Sequence, residues 1–489
     1  MARKGCRGMG LAAVHTAVWV LLAALATPGA RAEQRGGAAI VLRELRRPGT
    51  TTRVQTELKA KGLFRPGLPQ RDSAGELRMP KPLASEIETR LVFDERILES
   101  NLGSSAGLAK TGQVSPTAYD PGPGSAVRAV RHVIQAGLAV NGEVRQTSAL
   151  IRPEVRLLVA QRRERDGTVV VVSPSGPLMW YELDLVQTFG DPFGLPGLLP
   201  EKAVRVGDRW RVDDAAAKAL SEYDVLTLNA LEATLESADE AKARIRLKGQ
   251  VQGAFRGGPG KIAFEGFLTF DRQAARIDHL DVNRNENRQA GPVEAGLDLK
   301  STLTVSRQAT AVPAALTDAA LAGVNLEITP ERELLRLDSP GGRAALLLDR
   351  QWHMFNNDPK LIVLKRLNGT QVIAQCNLMV GPEAGKGRHQ DPNQFREDIR
   401  RGLKNRFVKF LGAGEVDGDP AGGFRYKVGV QGREGQVGIV WYYFLVASPE
   451  GEQLTATFTM AENHAAVFGT QDLEMIGSIR WLKRIESRD

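Results

Sequence analysis

Hydrophobic and polar positions alternate with a period of two along most of the first 310 residues. From Thr52 onward, Thr52, Val54, Thr56, Leu58 and Ala60 point one way, and Arg53, Gln55, Glu57, Lys59 and Lys61 the other. That pattern predicts a half-buried antiparallel strand with a charged outer face. It returns at residues 87–93. Residues 155–172 predict two strands joined at Asp166-Gly167, and residues 225–247 a hairpin turning near 237–240. Ile262, Phe264, Leu268 and Phe270 continue the sheet, and Leu297, Leu299, Leu303 and Val305 close it. One segment changes period. In residues 178–190, Tyr181, Leu185 and Phe189 fall four apart, with Leu178 and Val186 near the same face, which predicts a helix ended by Asp191-Pro192. The passage LPGLLPEKAVRVGDRW then returns to a strand through a Gly207-Asp208 turn. Residues 99–125, small, polar and Pro/Gly-rich, predict a long mobile loop.

The second half of the chain reads differently. Short strands are expected at 334–337, 344–348 and 372–380. A helix over 394–411 follows, with Phe395, Ile399, Leu403 and Phe407 at four-residue spacing and Phe410 widening the stripe. Next comes a three-strand meander at 424–430, 437–446 and 453–460. Its middle strand, VGIVWYYFLV, is apolar on both faces, so it belongs at the centre of a sheet covered on both sides. A last helix is expected over 464–478, with Asn463 as N-cap and Phe468, Met475, Ile476 and Ile479 facing inward. Between the halves, residues 311–324 (AVPAALTDAALAGV) read as a linker. The fold class expected is α+β. It consists of a curved antiparallel half-barrel with one packed helix over residues 33–310, then an α/β sandwich with an antiparallel meander over 325–489.

The stretch YYFLVASPEGEQLTATFTM, followed by a helix ending in SIRW, resembles the PsbP/Mog1-like α/β sandwiches over the last third of the chain. That resemblance implies a mostly non-enzymatic adaptor module. The first domain is weakly similar to LolA-type lipoprotein-carrier half-barrels. It also resembles uncharacterised exported bacterial proteins carrying a V-x-V-G-D-x-W turn, here Val204, Val206, Gly207, Asp208 and Trp210. Carrier half-barrels are shorter than this region and lack the insertion at 99–125, so lipid binding does not carry over directly.

The N-terminus changes the compartment expected. Arg3, Lys4 and Arg7 precede an apolar run at residues 11–26, Pro28-Gly29 ends it, and Ala30-Arg31-Ala32 offers a small-x-small cleavage site. This is a secretory signal over residues 1–32, which places the mature chain in the periplasm or outside the cell. The run is shorter than the roughly 20 residues of a membrane span, so none is expected after cleavage. Cleavage removes Arg3, Lys4, Arg7 and Arg31 and no acid, so the formal charge falls from +8 to +4. That balance gives no argument for a nucleic-acid partner. Cys376 becomes the only cysteine, and no intrachain disulfide can form.

Candidate chemistry is sparse. Gly103-Ser104-Ser105-Ala106-Gly107 fits G-x-S-x-G, but no apolar strand precedes Ser105 as a nucleophile elbow requires. Gly260-Lys261 and Gly385-Lys386 lack the Ser/Thr and glycine spacing of a P-loop and read as turns. His132, His279, His353, His389 and His464 have no metal-ligand spacing. No metal or cofactor is expected, and the chain reads as non-enzymatic. Arg396, Arg400 and Lys404 line one face of the helix at 394–411, best read as solvated. Two readings of function stay open. In one, Trp180, Tyr181, Leu185 and Phe189 line a pocket for an apolar or lipid-like ligand inside the half-barrel. In the other, both domains are packed solid and engage protein partners of the cell envelope.

Overall fold

The computed structural model describes residues 38–65, 70–71, 77–78, 81–98, 127–146, 150–163, 167–187, 189–339, 341, 343–416 and 422–482. The secretory signal expected at 1–32 and the loop expected at 99–125, with Ser105, lie outside the described residues. The fold is mostly β, built on two large antiparallel sheets with few helices and no closed barrel.

The first sheet has twelve strands: β1 (Thr51–Arg65), β2 (Leu83–Ile97), β3 (Arg128–Val140), β4 (Glu143–Gln146), β5 (Leu157–Arg162), β6 (Val169–Val172), β7 (Arg209–Arg211), β8 (Val225–Ala238), β9 (Lys242–Phe255), β10 (Gly258–Asp271), β11 (Arg276–Arg288) and β12 (Gly296–Ala309). Their order is β6-β5-β3-β2-β1-β12-β11-β10-β9-β8-β7, with β4 added to β3. The first strand thus lies mid-sheet, with Leu58 opposite Thr89 on one side and Leu303 on the other. Period-two patterning dictates which way each strand faces. Val54, Leu58 and Ala60 of β1 are buried, whereas Arg53, Lys59 and Lys61 are exposed. A shift of one residue would exchange those faces.

Close approach of neighbouring strands depends on missing side chains. A Cβ on Gly249 would lie 2.1 Å from the Ala230 carbonyl oxygen, and one on Gly266 would lie 2.1 Å from that of Asp281. Both glycines sit at inward positions, where their absent side chains let the neighbouring backbone close in.

The inner face is filled by the chain between β6 and β8. The short helix α1 (Trp180–Val186) and the helix α2 (Asp214–Ser221) belong to this segment. Phe193, Leu195, Leu198 and Leu220 form one continuous buried cluster with Leu231, Leu247, Phe264, Leu280 and Leu303 of the sheet. Charges are buried there too. Arg131 is 2% exposed. Its Nε donates to Glu95 at 2.8 Å, and its Nη1 and Nη2 donate to the two carboxylate oxygens of Asp191 at 2.6 and 2.9 Å. The rings of Phe93 and Phe193 each lie 4.9 Å from its guanidinium carbon. Alongside, Arg307 pairs with Glu44 at 2.9 Å and Arg46 with Glu44 at 3.4 Å. Burial alone raises the Glu44 carboxyl, but Arg307 and Arg46 outweigh it and hold it below the usual carboxylate range.

The linker expected at 311–324 is docked. Leu316 is fully buried, and Arg96 donates to its carbonyl at 2.7 Å and to Asp318 at 2.6 Å. Beyond it, β13 (Leu335–Asp338) and β14 (Ala344–Leu348) pair with each other, and β14 also pairs with a C-terminal two-residue strand. The second large sheet holds β15 (Trp352–Asn357), β16 (Leu361–Asn368), β17 (Gln371–Val380), β18 (Phe407–Glu415), β19 (Phe424–Glu434), β20 (Val437–Ala447) and β21 (Gln453–Ala461). Its order is β15-β16-β17-β21-β20-β19-β18. The apolar β20 is interior and covered on both faces. Ile439, Trp441 and Leu445 pack with the helix α3 (Pro392–Leu403). Val440, Phe444 and Val446 pack with Phe468, Met475 and Ile476.

Helices are shorter here than the periodicity predicts. The helix expected over 394–411 stops at Leu403, and Phe407 and Phe410 belong to β18. Lys404 caps it with a positive φ (+51°) that breaks the helical path. The helix expected over 464–478 is two pieces, α4 (Ala465–Phe468) and α5 (Gln471–Gly477), broken at Gly469, and Asn463 lies in a preceding 3-10 turn without capping it. Gly260 and Lys261, expected in a turn, lie within β10. Cys376 is fully buried, and burial raises its thiol pKa well above the ordinary value.

The two halves touch. The Arg336 N–H donates to the Leu178 carbonyl at 2.8 Å, Arg350 donates to the Val171 carbonyl at 2.6 Å, and Trp180 packs against both cores. Replacing Arg131 by alanine leaves Glu95 and Asp191 buried without their counter-charge. The expected loss is about 3–5 kcal/mol, read as the fall in unfolding free energy in urea.

Candidate functional site

A cavity of about 950 Å³ lies across the middle of the twelve-stranded sheet. Residue parity says which face it opens on. One row of lining side chains runs Glu88, Lys59, Thr302, Asn283, Glu265 and Lys248, each opposite the next on adjacent strands. A second runs Glu86, Lys61, Lys300, Asn285, Ala263, Gln250 and Ala230. Both rows point away from the core. Between them, Ile87, Ala60, Ser301, Arg284, Phe264 and Gly249 take the inward positions, so the floor is made mainly of their backbone. The neighbouring inward residues Leu58, Leu247 and Leu303 do not line it. The cavity is therefore an open groove on the outer face, running across the strands from β2 to β8.

The groove exists because two outward positions carry almost no side chain. Ala230 and Ala263 leave space where β8 and β10 would otherwise present longer groups. The lining is polar and mixed in charge. Lys61 lies 3.5 Å from Glu86, and Lys248 lies 3.5 Å from Glu265. Arg246, just outside, donates to Glu265 at 2.8 Å. The hydrogen bond from Arg246, then Lys248, holds the Glu265 carboxyl below its ordinary pKa. Thr302 donates to the Asn283 side-chain oxygen at 2.9 Å. No aromatic side chain faces outward along the lining, although Phe267 sits one row away with Arg244 over its ring at 3.8 Å.

A second polar cluster lies beneath the floor, on the inner side. Arg284 is buried, with its guanidinium 4.0 Å from the Phe189 ring centre and 3.5 Å from Glu286. Nearby, Glu222 ends α2 in the left-handed conformation (φ +58°). Burial pushes its carboxyl up to about 8, against Arg284 and with Asp184 adding. The Tyr223 hydroxyl is buried without a hydrogen-bond partner.

The residues predicted to line a pocket sit elsewhere. Trp180, Leu185 and Phe189 are partly buried and pack against the inner core, and Tyr181 is 40% exposed, edge-on to Trp180. The buried face of α1 is instead Glu182, Leu183 and Val186. The cause is an ion pair: Glu182 is fully buried, accepts from the Met179 N–H at 2.8 Å and binds Arg152 at 2.8 Å, which turns its side of the helix inward. Of the four, Phe189 alone comes near the groove, from below, through Arg284. The basic face of α3 is locally satisfied. Arg400 lies 3.5 Å from Glu397, Arg401 pairs with Asp398, and Arg396 covers the Phe410 ring at 4.5 Å. Among the described residues, no group of three His, Cys, Asp or Glu is placed to hold a metal, and no helix is long and apolar enough to cross a membrane.

The chain is similar to several solved structures at low identity. A protein of Bacteroides thetaiotaomicron VPI-5482 matches 31% of this chain and 49% of its own, with 11% identity and a TM-score of 0.23. A lipovitellin structure concerned with lipid–protein interactions matches 55% of this chain and 26% of its own, with 6% identity and a TM-score of 0.30. The Tle4–Tli4 complex matches 44% of this chain and 73% of its own, with 11% identity and a TM-score of 0.18. This chain thus spans about half the length of the first and a quarter of the second. Such TM-scores assign no family and carry no argument about ligand or activity. No family model matches the chain, and no curated protein does.

Glu222 makes a pH prediction. Its folded pKa lies above the ordinary 4.5. The folded state therefore holds the proton more tightly, and stability falls as pH rises from about 4.5 through 8. Glu222→Gln removes that fall. The variant's Tm should match the parent's at pH 4 and exceed it increasingly toward pH 8.5. A constant offset across that range would show that the carboxyl is not the titrating group.

Proposed function

We propose that this chain is an exported, non-catalytic binding protein of the cell envelope, and that it meets its partner on the outer face of the twelve-stranded sheet. The observation that carries this reading is the distribution of space. The inner face is occupied by the protein's own Phe193, Leu195, Leu198 and Leu220, while a groove of about 950 Å³ opens on the opposite face. An apolar or lipid-like ligand beneath α1, the other reading of the half-barrel, would need that inner volume and an apolar lining. The groove offers amides, ammonium groups and carboxylates instead. Its Glu265 is kept ionised by Arg246 and Lys248, the opposite of what a general acid requires.

The test has two parts. Native mass spectrometry of residues 33–489 from an exporting host should give a mass free of any bound apolar molecule. Ala263→Trp, which fills the groove floor without touching the core, should abolish co-sedimentation with the envelope fraction at unchanged Tm. An apolar molecule that co-purifies with the chain, or an Ala263→Trp protein that still co-sediments, would overturn the reading.

A further inference from the structure

Resting on that reading, we infer that the groove binds an extended, weakly anionic polysaccharide: a hydroxyl-rich chain with carboxylates spaced along it.

The first argument is a charge arrangement that the fold does not need. Lys61 and Lys300 stand directly opposite each other on β1 and β12, and Lys59 is two residues along the same face. Like charges directly across a sheet are destabilising. Elsewhere on this face, cross-strand neighbours are complementary, as in Lys248 with Glu265 and Arg65 with Asp298. Lys61 reaches Glu86, but Lys59 and Lys300 have no carboxylate within 4 Å among the described residues. Lys59 stands opposite Glu88 without pairing to it, so two ammonium groups are left for an anion from outside.

The second argument is what surrounds them. Asn285 stands directly opposite Lys300, and Gln250 follows two strands on. Neither side-chain amide has a partner among the described residues, and each presents a donor and an acceptor to a ligand hydroxyl. The carboxylates of Glu86, Glu88 and Glu265 add acceptors for hydroxyls and repel a densely charged polyanion. A nucleic acid is disfavoured on that ground, and because the lining offers no outward aromatic ring for bases to stack on.

The third argument is direction and length. The groove crosses seven strands, about 29 Å at the usual spacing between strands. A peptide lying across the strands could not add to the sheet, because the backbone groups of these interior strands are already paired. The groove also lacks an apolar pocket to anchor its side chains. A glycan needs neither.

The experiment is calorimetric titration of residues 33–489 with partly methyl-esterified polygalacturonate, whose free carboxylates are spaced along the chain, and with dextran and poly-glutamate. The variants are Lys59→Gln with Lys300→Gln, and Asn285→Ala with Gln250→Ala. Their positions face solvent, and equal Tm values verify the fold. Polygalacturonate should bind, dextran far more weakly. Each double variant should lose about tenfold or more in polygalacturonate affinity, and added salt should weaken binding of the parent. Poly-glutamate binding as tightly, with the amide variant unaffected, would make the occupant an acidic peptide and overturn the inference. Dextran binding as tightly, with the lysine variant unaffected, would overturn the anionic assignment while leaving the groove as the site. No binding by any polymer would also overturn the inference, and the groove reading would then stand or fall on Ala263→Trp and the envelope fraction.

Discussion

The packing of the twelve-stranded sheet on the segment it encloses depends on how Arg131 is neutralised. An open sheet of twelve strands has no closure to hold its arms at a fixed curvature. Here the arms are tied to the segment they enclose by a buried guanidinium. Glu95 comes from β2, Arg131 from β3 and Asp191 from the filling segment, and two phenylalanine rings cover the cation. The bidentate geometry fixes position and angle together. An apolar replacement could fill the volume, but it would not say which loop belongs against which strand. The neighbouring group of Glu44, Arg46 and Arg307 does the same between the N-terminal segment and β12. Across both groups three arginines face three carboxylates, so together the two groups carry no net charge.

Much of this architecture is legible in the sequence, and the failures have physical causes. Strict alternation gives β1 and the β8–β9 hairpin, because one face of each strand meets a core and the other meets water. The doubly apolar β20 is likewise identifiable as a covered strand. The helices are overestimated where a four-residue apolar spacing runs past a backbone break. Phe395, Ile399 and Leu403 are helical, yet Phe407 follows the positive-φ break at Lys404 and turns into an edge strand. In α1, an apolar stripe of Tyr181 and Leu185 competes with the buried Glu182–Arg152 pair. The pair decides the orientation, and no hydrophobic periodicity could reveal it. The groove was invisible for another reason. Lys59, Lys300, Asn285 and Gln250 are each ordinary outward residues of their own strands. They become a site only once pairing sets β1 against β12 and β11 against β10.

The two faces of the same strands therefore do different work. Inward residues are constrained by packing to be apolar, small, or charged with an internal partner. Outward residues have no such constraint, and charge complementarity prevails over most of that face. The exception at Lys61 and Lys300 stands out because its surroundings obey the rule. Gly249 and Ala263 link the faces: the first lets neighbouring backbones close in, the second leaves the hollow on the other side.

The pairing of β1 with β12 also sets an order of assembly. Thr52 lies opposite Ala309, so the strand made first among these twelve gains one of its two neighbours only after more than three-fifths of the 489 residues have been synthesised. Until then β1 and β2 present an unsatisfied edge, and the residues that fill the inner face have only part of their wall. Contacts so distant in sequence make for slow folding and prolonged exposure of apolar strand. Lys59 and Lys61 lie on that waiting strand, where their like charges discourage pairing with another copy of β1.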